Sequence, residues 1–187
     1  MSLRVISGKA KGRKLRDVPG DTTRPVTDMV KEALFNILAG DVLDSVWWDL
    51  FAGTGAIGIE ALSAGAAEVV FIEHLPAALS VLRHNIAKLE AGEKTRVVAM
   101  EFNRAVILLA GENFRFDIIF LDPPYRLLDE RNPLKVIKKR DLLAPGGLIV
   151  LRHHFKTKFE AKYFALKRRT TLGDDTLSFY AQPGGDA

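Results

Sequence analysis

Apolar runs of strand length alternate with segments of helical spacing through the middle of this chain, an order that few architectures accommodate. Strands are expected at about 46–51, 69–73, 95–100, 116–121 and 147–152, and helices at about 56–64, 76–90, 103–110 and 133–143. Unbroken apolar stretches such as Ile118-Ile119-Phe120-Leu121 suit strands covered on both faces, because successive strand residues point to opposite sides. The alternation implies a mostly parallel sheet with helices on both faces. A further helix is expected at about 27–38, where Val30, Ala33, Leu34, Ile37 and Leu38 keep helical spacing and Asp28 and Glu32 lie early. Residues 3–7 and 13–18 read as a short N-terminal β-hairpin turning near Gly8 and Gly12. Asn132-Pro133 opens the last helix of the series, and Ala144-Pro145-Gly146-Gly147 ends it. Beyond it, residues 159–167 and 176–180 read as two strands joined through Gly173-Asp174-Asp175, placing one antiparallel strand at the sheet edge.

The first strand–helix connection contains Gly53, Gly55 and Gly58 in the pattern Gly-x-Gly-x-x-Gly. Glycines there let the backbone turn tightly and approach a ligand closely. A dinucleotide would rest its pyrophosphate on the N-terminus of the following helix. Asp49, at the end of the preceding strand, faces the same crevice; a carboxylate there repels a pyrophosphate and attracts an ammonium group. S-adenosylmethionine carries an ammonium and a sulfonium and no phosphate, so the loop with Asp49 favours it over NAD. Phe51, in the same segment, counts with the cofactor-binding residues. Glu73 ends the next apolar run, where a carboxylate can accept from both ribose hydroxyls, a device that NAD enzymes share. Glu101 and Phe102, after the third run, are placed to contact the adenine.

Asp122-Pro123-Pro124-Tyr125 follows the fourth apolar run. The prolines end the strand because neither donates a ladder hydrogen bond, yet both keep their carbonyl oxygens. The corner therefore offers one carboxylate, free carbonyls and one aromatic face. It suits a planar nitrogen base whose exocyclic NH2 needs acceptors and whose ring needs a stacking partner. Asp49, Glu73, Glu101 and Asp122 all fall at the carboxyl ends of expected strands, the edge where open α/β sheets bind ligands.

The net charge is +4, and the positive residues are clustered. Lys9, Lys11, Arg13, Lys14 and Arg16 precede the first acid of the chain, Asp17. Arg152, Lys156, Lys158, Lys162, Lys167, Arg168 and Arg169 form a second group with Glu160 as its one acid. Such patches attract phosphate backbones without reading sequence. Zero cysteines exclude disulfides and thiolate metal sites, and the four histidines lack ligand spacing, so no metal is expected. With no signal-like N-terminus and no long apolar run, the expectation is a cytoplasmic protein without membrane contact.

Asp49-Leu50-Phe51-x-Gly-x-Gly followed by Asp-Pro-Pro-Tyr resembles the S-adenosylmethionine-dependent amino-methyltransferases. Gly-Arg-Lys-Leu at 12–15, Thr-Arg-Pro at 23–25, Glu-Ala-Leu-Phe-Asn-Ile-Leu at 32–38 and Asp-Thr-Leu-Ser-Phe-Tyr at 175–180 resemble the bacterial family that methylates guanine N2 in small-subunit (16S) ribosomal RNA. The resemblance implies a Rossmann-like seven-stranded methyltransferase sheet, mostly parallel with one antiparallel edge strand, preceded by the short hairpin. Its expected divisions are a basic hairpin arm at 1–24, a methyltransferase domain at 25–182 and a flexible tail at 183–187. Asp122 and Pro123 would accept the amino N–H bonds and Tyr125 would stack on the guanine. Lys9, Lys11, Arg13, Lys14 and Arg24 would hold the RNA, either naked or within an assembling ribosomal particle, and the enzyme would act as a monomer. The chain departs from the family pattern at Val26, Leu75, Phe102 and Arg152, the last at a strand end that often carries Glu. A DNA adenine or cytosine amino-methyltransferase shares both central motifs. An NAD-dependent dehydrogenase shares the glycine loop, and a non-catalytic RNA-binding domain shares only the charge.

Overall fold

The computed structural model describes residues 3–19, 26–124, 132–157 and 161–184. Helices α1 (Asp28–Ile37), α2 (Ala56–Ala64), α3 (Pro76–Lys88), α4 (Phe102–Gly111) and α5 (Pro133–Lys139) are interleaved with strands β1 (Val46–Leu50), β2 (Glu68–Glu73), β3 (Thr95–Ala99), β4 (Phe116–Leu121) and β5 (Leu143–His154). Strands β6 (Ala165–Leu172) and β7 (Asp175–Ala181) follow. They form one seven-stranded sheet in the order β3-β2-β1-β4-β5-β7-β6. Strands β1 to β5 pair in parallel, and β7 runs antiparallel to both β5 and β6. The reversed strand is thus inserted one place in from the edge, and β6 is outermost.

Adjacent tryptophans show why the central strands must be apolar throughout. Trp47 stacks on Phe35 of α1 with ring centroids 5.6 Å apart, whereas Trp48 stacks on Phe116 at 4.8 Å in the other core. The Trp47 side of the sheet is covered by α1, α2 and α3, and the Trp48 side by α4 and α5. In α1, Thr27 caps the N-terminus by accepting from the Val30 N–H. Its buried face is Val30, Lys31, Leu34 and Phe35, and of the helically spaced apolar positions Ile37 is only partly buried.

Two boundaries differ from the sequence reading. The last helix of the series, α5, ends at Lys139, and Pro145-Gly146-Gly147 lies inside β5 at an irregularity, where the register with β4 slips between Phe116 and Ile118. A bulge tolerates the proline and the glycines that a regular ladder would reject. The C-terminal hairpin turns through Gly173-Asp174, with Leu172 paired to Asp175, so its first strand covers 165–172 rather than 159–167. Its Lys167-Arg168-Arg169 run is exposed and polar, as an edge strand must be to resist further pairing, and that polarity hid it.

The N-terminal segment forms the expected hairpin through one bridge, Arg4 with Lys14. It is docked rather than free. Glu60 of α2, fully buried, accepts from the Ile6 N–H, the Ser7 N–H and the Ser7 hydroxyl. Ser63 donates to the Ser7 carbonyl and accepts from the Ala10 N–H. The buried Lys31 ammonium meets the Arg4 carbonyl, lies 3.1 Å from Asp28 and lies 3.9 Å from Glu60.

Candidate active site at the carboxyl edge of the sheet

Strand parity collects the charged residues. Asp49 is paired with Phe71 and Phe120, two residues short of Glu73 and Asp122 on the neighbouring strands. All three carboxylates therefore emerge on the Trp47 face at the same edge. Asp49 and Asp122 are one strand spacing and two residues apart, roughly 8 Å between Cα positions.

Asp49 is almost wholly buried, and its Oδ2 accepts from the Gly58 N–H at 3.0 Å. Burial pushes its carboxyl up to about 7, the Gly58 N–H opposes this, and the charges of Asp122 and Glu73 add to it. Among the described residues this buried acid has no cation beside it. Glu73 is stitched into the loop: Oε2 accepts from the Gly53 N–H at 2.9 Å, and Oε1 from the N–H groups of His74 and Leu75 at 2.7 and 2.8 Å. Of the roughly four acceptor positions of a carboxylate, about one is left for a ligand hydroxyl.

The loop glycines have different reasons to be glycine. Gly55, at the start of α2, has φ +78°, in the left-handed region. A Cβ on Gly58 would lie 2.3 Å from the Phe71 ring, so α2 packs against β2 closer than any side chain permits. Their N–H groups are already committed. Gly53 donates to Glu73, Gly55 to the Ala52 carbonyl at 2.7 Å and Gly58 to Asp49. None of the three is left for a phosphate.

Asp122 is half-buried and Pro123 is buried. Asp122 Oδ2 accepts from Arg152 Nη1 at 2.6 Å, and Arg152 Nε and Nη2 lie 3.1 and 3.0 Å from Asp175 Oδ1. Burial pushes the Asp122 carboxyl up, Arg152 pulls it back down, and Asp175 adds to the upward push. Arg152, counted above among the phosphate-facing cations, is instead 4% exposed and committed to two carboxylates. Leu121 pairs with Leu151, which places Arg152 beside Asp122 once the strands are aligned. Nothing in the sequence states that register.

Phe102 lies in the core beneath the loop, with its ring centroid 5.7 Å from that of the half-buried Phe51. Phe51 itself takes a positive φ of 63° at the end of β1. Glu101 is exposed at the start of α4 and makes no capping bond. Tyr125 and Arg24, with Lys158 of the C-terminal basic group, lie outside the described residues.

Lys9, Lys11, Arg13 and Lys14 are exposed on the docked hairpin. The hairpin reaches the loop through Asn85 of α3, which is fully buried and carries no signal in the sequence that marks it. Its Oδ1 accepts from the Arg16 N–H, and its Nδ2 serves the carbonyls of Arg16 and of Thr54 in the glycine loop.

The family described as conserved hypothetical protein 95 matches residues 3–181. Ribosomal RNA small subunit methyltransferase D of Escherichia coli strain K12 is 42% identical over 151 residues, 79% of this chain and 72% of that protein. YlbH of Bacillus subtilis, named as a candidate rRNA methyltransferase, is 34% identical over 184 residues, 97% of this chain and all of that one. The solved structure of yhhF from Escherichia coli, described as a candidate methyltransferase, superposes with a TM-score of 0.80 at 34% identity, covering 97% of this chain and 98% of that one.

Proposed function

Since the chain belongs to the conserved hypothetical protein 95 family, we propose that it transfers a methyl group from S-adenosylmethionine to the exocyclic N2 of a guanine in small-subunit ribosomal RNA. The observation that carries this reading is the pairing, at one sheet edge, of an acceptor corner at Asp122-Pro123 with a buried carboxylate, Asp49, that meets no cation among the described residues. The names of the Escherichia coli and Bacillus subtilis relatives support the ribosomal substrate.

The residues at this edge suit S-adenosylmethionine better than a dinucleotide. The glycine N–H groups are spent within the protein, and the loop is flanked by Asp49 and Glu73. Asp49 would hold the amino-acid ammonium, Glu73 a ribose hydroxyl, and the Phe51–Phe102 pair the adenine side, with Glu101 at its rim. When bound, that molecule supplies an electrophilic methyl on a sulfonium.

The chain's own work is orientation. A guanine amino nitrogen is a poor nucleophile because its lone pair is delocalised into the ring. Asp122 and the Pro123 carbonyl would accept its two N–H bonds, which draws the nitrogen toward tetrahedral and aims the lone pair; the N–C bond would form as the sulfonium–methyl bond breaks, and the positively charged methylated nitrogen would then give up one proton to solvent, leaving N2-methylguanine and S-adenosylhomocysteine. Alignment of this kind lowers barriers by up to about 7–11 kcal/mol in the best model reactions. Tyr125 stacks on the extruded base, a contact worth about 1–3 kcal/mol. The exposed cations of the hairpin, with Arg24, hold the RNA backbone, and Asn85 links that hairpin to the loop at the cofactor side. Among the described residues no helix is long and apolar enough to cross a membrane.

The test is labelled methyl transfer to small-subunit ribosomal RNA from a strain lacking the enzyme, with duplex DNA in parallel and nucleoside analysis of the product. N2-methylguanosine is expected. Label in DNA, or on another base, refutes the reading.

A further inference from the structure

We propose that Arg152 is a positioning residue for methyl transfer: anchored by Asp175, it occupies one oxygen of Asp122 and leaves the other to the substrate amino group. The inference rests on the reading of Asp122 as the amino-group acceptor and adds how that acceptor is held.

The terminal torsion of an aspartate is broad and nearly two-fold, so a lone carboxylate at the end of a strand does not keep one plane. Arg152 removes that freedom. Its Nη1 lies 2.6 Å from Asp122 Oδ2, while Nε and Nη2 lie 3.1 and 3.0 Å from Asp175 Oδ1. The planar guanidinium is thus gripped on two sides, and its backbone is fixed in the sheet, where Arg152 pairs with Leu177. Asp175 stands two residues before Leu177 on β7, the diagonal position from which a side chain reaches across an antiparallel pair. Three strands, β4, β5 and β7, therefore converge on one carboxylate oxygen. No described residue bonds Asp122 Oδ1, the oxygen left for a donor.

Charge explains why the anchor is itself an acid. Asp49 on β1, Asp122 after β4 and Asp175 on β7 are the acids that bear on this corner, with Glu73 on β2 acting on Asp49, and Arg152 is the one described cation bonded to Asp122. Without it, buried carboxylates would face one another and Asp122 would take up a proton. A protonated acid presents a donor where an amino group needs an acceptor. With one guanidinium between two carboxylates, the corner keeps a net charge of −1 and its acceptor character.

The experiment is single-turnover methyl transfer at saturating S-adenosylmethionine and ribosomal RNA across the pH range, with Asp122→Ala as the reference. Arg152→Gln is expected to slow the transfer step by about 10- to 100-fold, the scale of loss from a small misplacement, and to move the acid limb of the rate profile to higher pH. Affinity for S-adenosylhomocysteine, read by calorimetry, should stay within about threefold, since the variant leaves Asp49 and Glu73 in place. Arg152→Lys should restore the acid limb and only part of the rate, because a point charge replaces a planar fork. Arg152→Gln leaves Asp175 buried alone; the double variant Arg152→Met, Asp175→Asn removes both charges, so it keeps the fold and should show the same loss. A wild-type rate and acid limb in the double variant, with Asp122→Ala inactive, overturns the positioning role and leaves the Asp122 reading standing. Full activity in Asp122→Ala removes the reading itself.

Discussion

Asp49→Asn should make the ligand-free protein more stable at alkaline pH and make it worse at holding its cofactor. Asp49 is 2% exposed and accepts, among the described residues, one hydrogen bond, from the Gly58 N–H. Its carboxyl is raised from the ordinary 3.8 to about 7, chiefly by burial. At about 1.36 kcal/mol per tenfold, the folded state bears about 4 kcal/mol for keeping this group ionised. The sign follows from proton binding. A raised carboxyl holds its proton more tightly in the folded state than in the unfolded chain. The penalty is therefore absent below about pH 4, grows as pH rises toward 7 and is complete above it. Asparagine carries no such titration, and its amide oxygen still accepts from Gly58. Its NH2 needs a partner, at a cost of about 1–3 kcal/mol. The net gain is about 1–3 kcal/mol above pH 8, or several degrees in Tm for a chain of this size. Near pH 5 it shrinks or reverses. Urea denaturation of both proteins at about pH 5 and about pH 8.5 reads the difference directly. Calorimetry with S-adenosylmethionine at the alkaline pH should show at least a tenfold loss of affinity, about 1.4 kcal/mol. A stability difference that is the same at both pH values refutes the reasoning, because the charge would then not be the cause.

Asp122→Ala should reduce methyl transfer by at least about 100-fold while changing cofactor affinity little; comparable kcat in variant and wild type would dismiss the acceptor role. Charge reversal at Lys11, Arg13 and Lys14 should weaken RNA binding and flatten its salt dependence by roughly one unit of slope for each phosphate no longer neutralised, as filter binding at several ionic strengths will show. An unaltered slope would place the RNA elsewhere. Glu60→Ala should cost about 3–5 kcal/mol in chemical denaturation, because it leaves the Ile6 and Ser7 amides and the Ser7 hydroxyl without their acceptor and takes one of two carboxylates from the buried Lys31 ammonium, which keeps Asp28. A loss below about 1 kcal/mol would mean that the hairpin is not held through this residue.

The alternation of strands and helices was legible because two-sided burial forces apolar runs, and because glycine and proline punctuate the ends. The loop glycines and Asp122-Pro123 could be placed for the same reason. Partnerships across strands could not. That Arg152 meets Asp122 depends on Leu121 pairing with Leu151, and that Asp175 meets Arg152 depends on β7 inserting beside β5. Register and strand order are tertiary facts, so a basic residue near a basic cluster reads as surface. Lys31, Glu60 and Asn85 escape sequence reading for a related reason: polar residues buried for backbone partners 27 to 69 positions away look like ordinary helix surface. The polar edge strand β6 is displaced in the sequence reading because strand propensity favours the aromatic segment before it.

Strand order also sets a sequence of events. Strands β1 to β5 can assemble as the chain lengthens, but the inner edge of β5 is left open until β6 and β7 have both been made, since the last strand fills the gap. An unfilled edge invites pairing with another chain. Asp175 arrives with that closing strand, so a polypeptide cut before β7 keeps Asp49, Glu73, Asp122 and Arg152 yet lacks the carboxylate that anchors the Arg152 guanidinium. The anchor of Arg152 is thus added by the same step that seals the sheet.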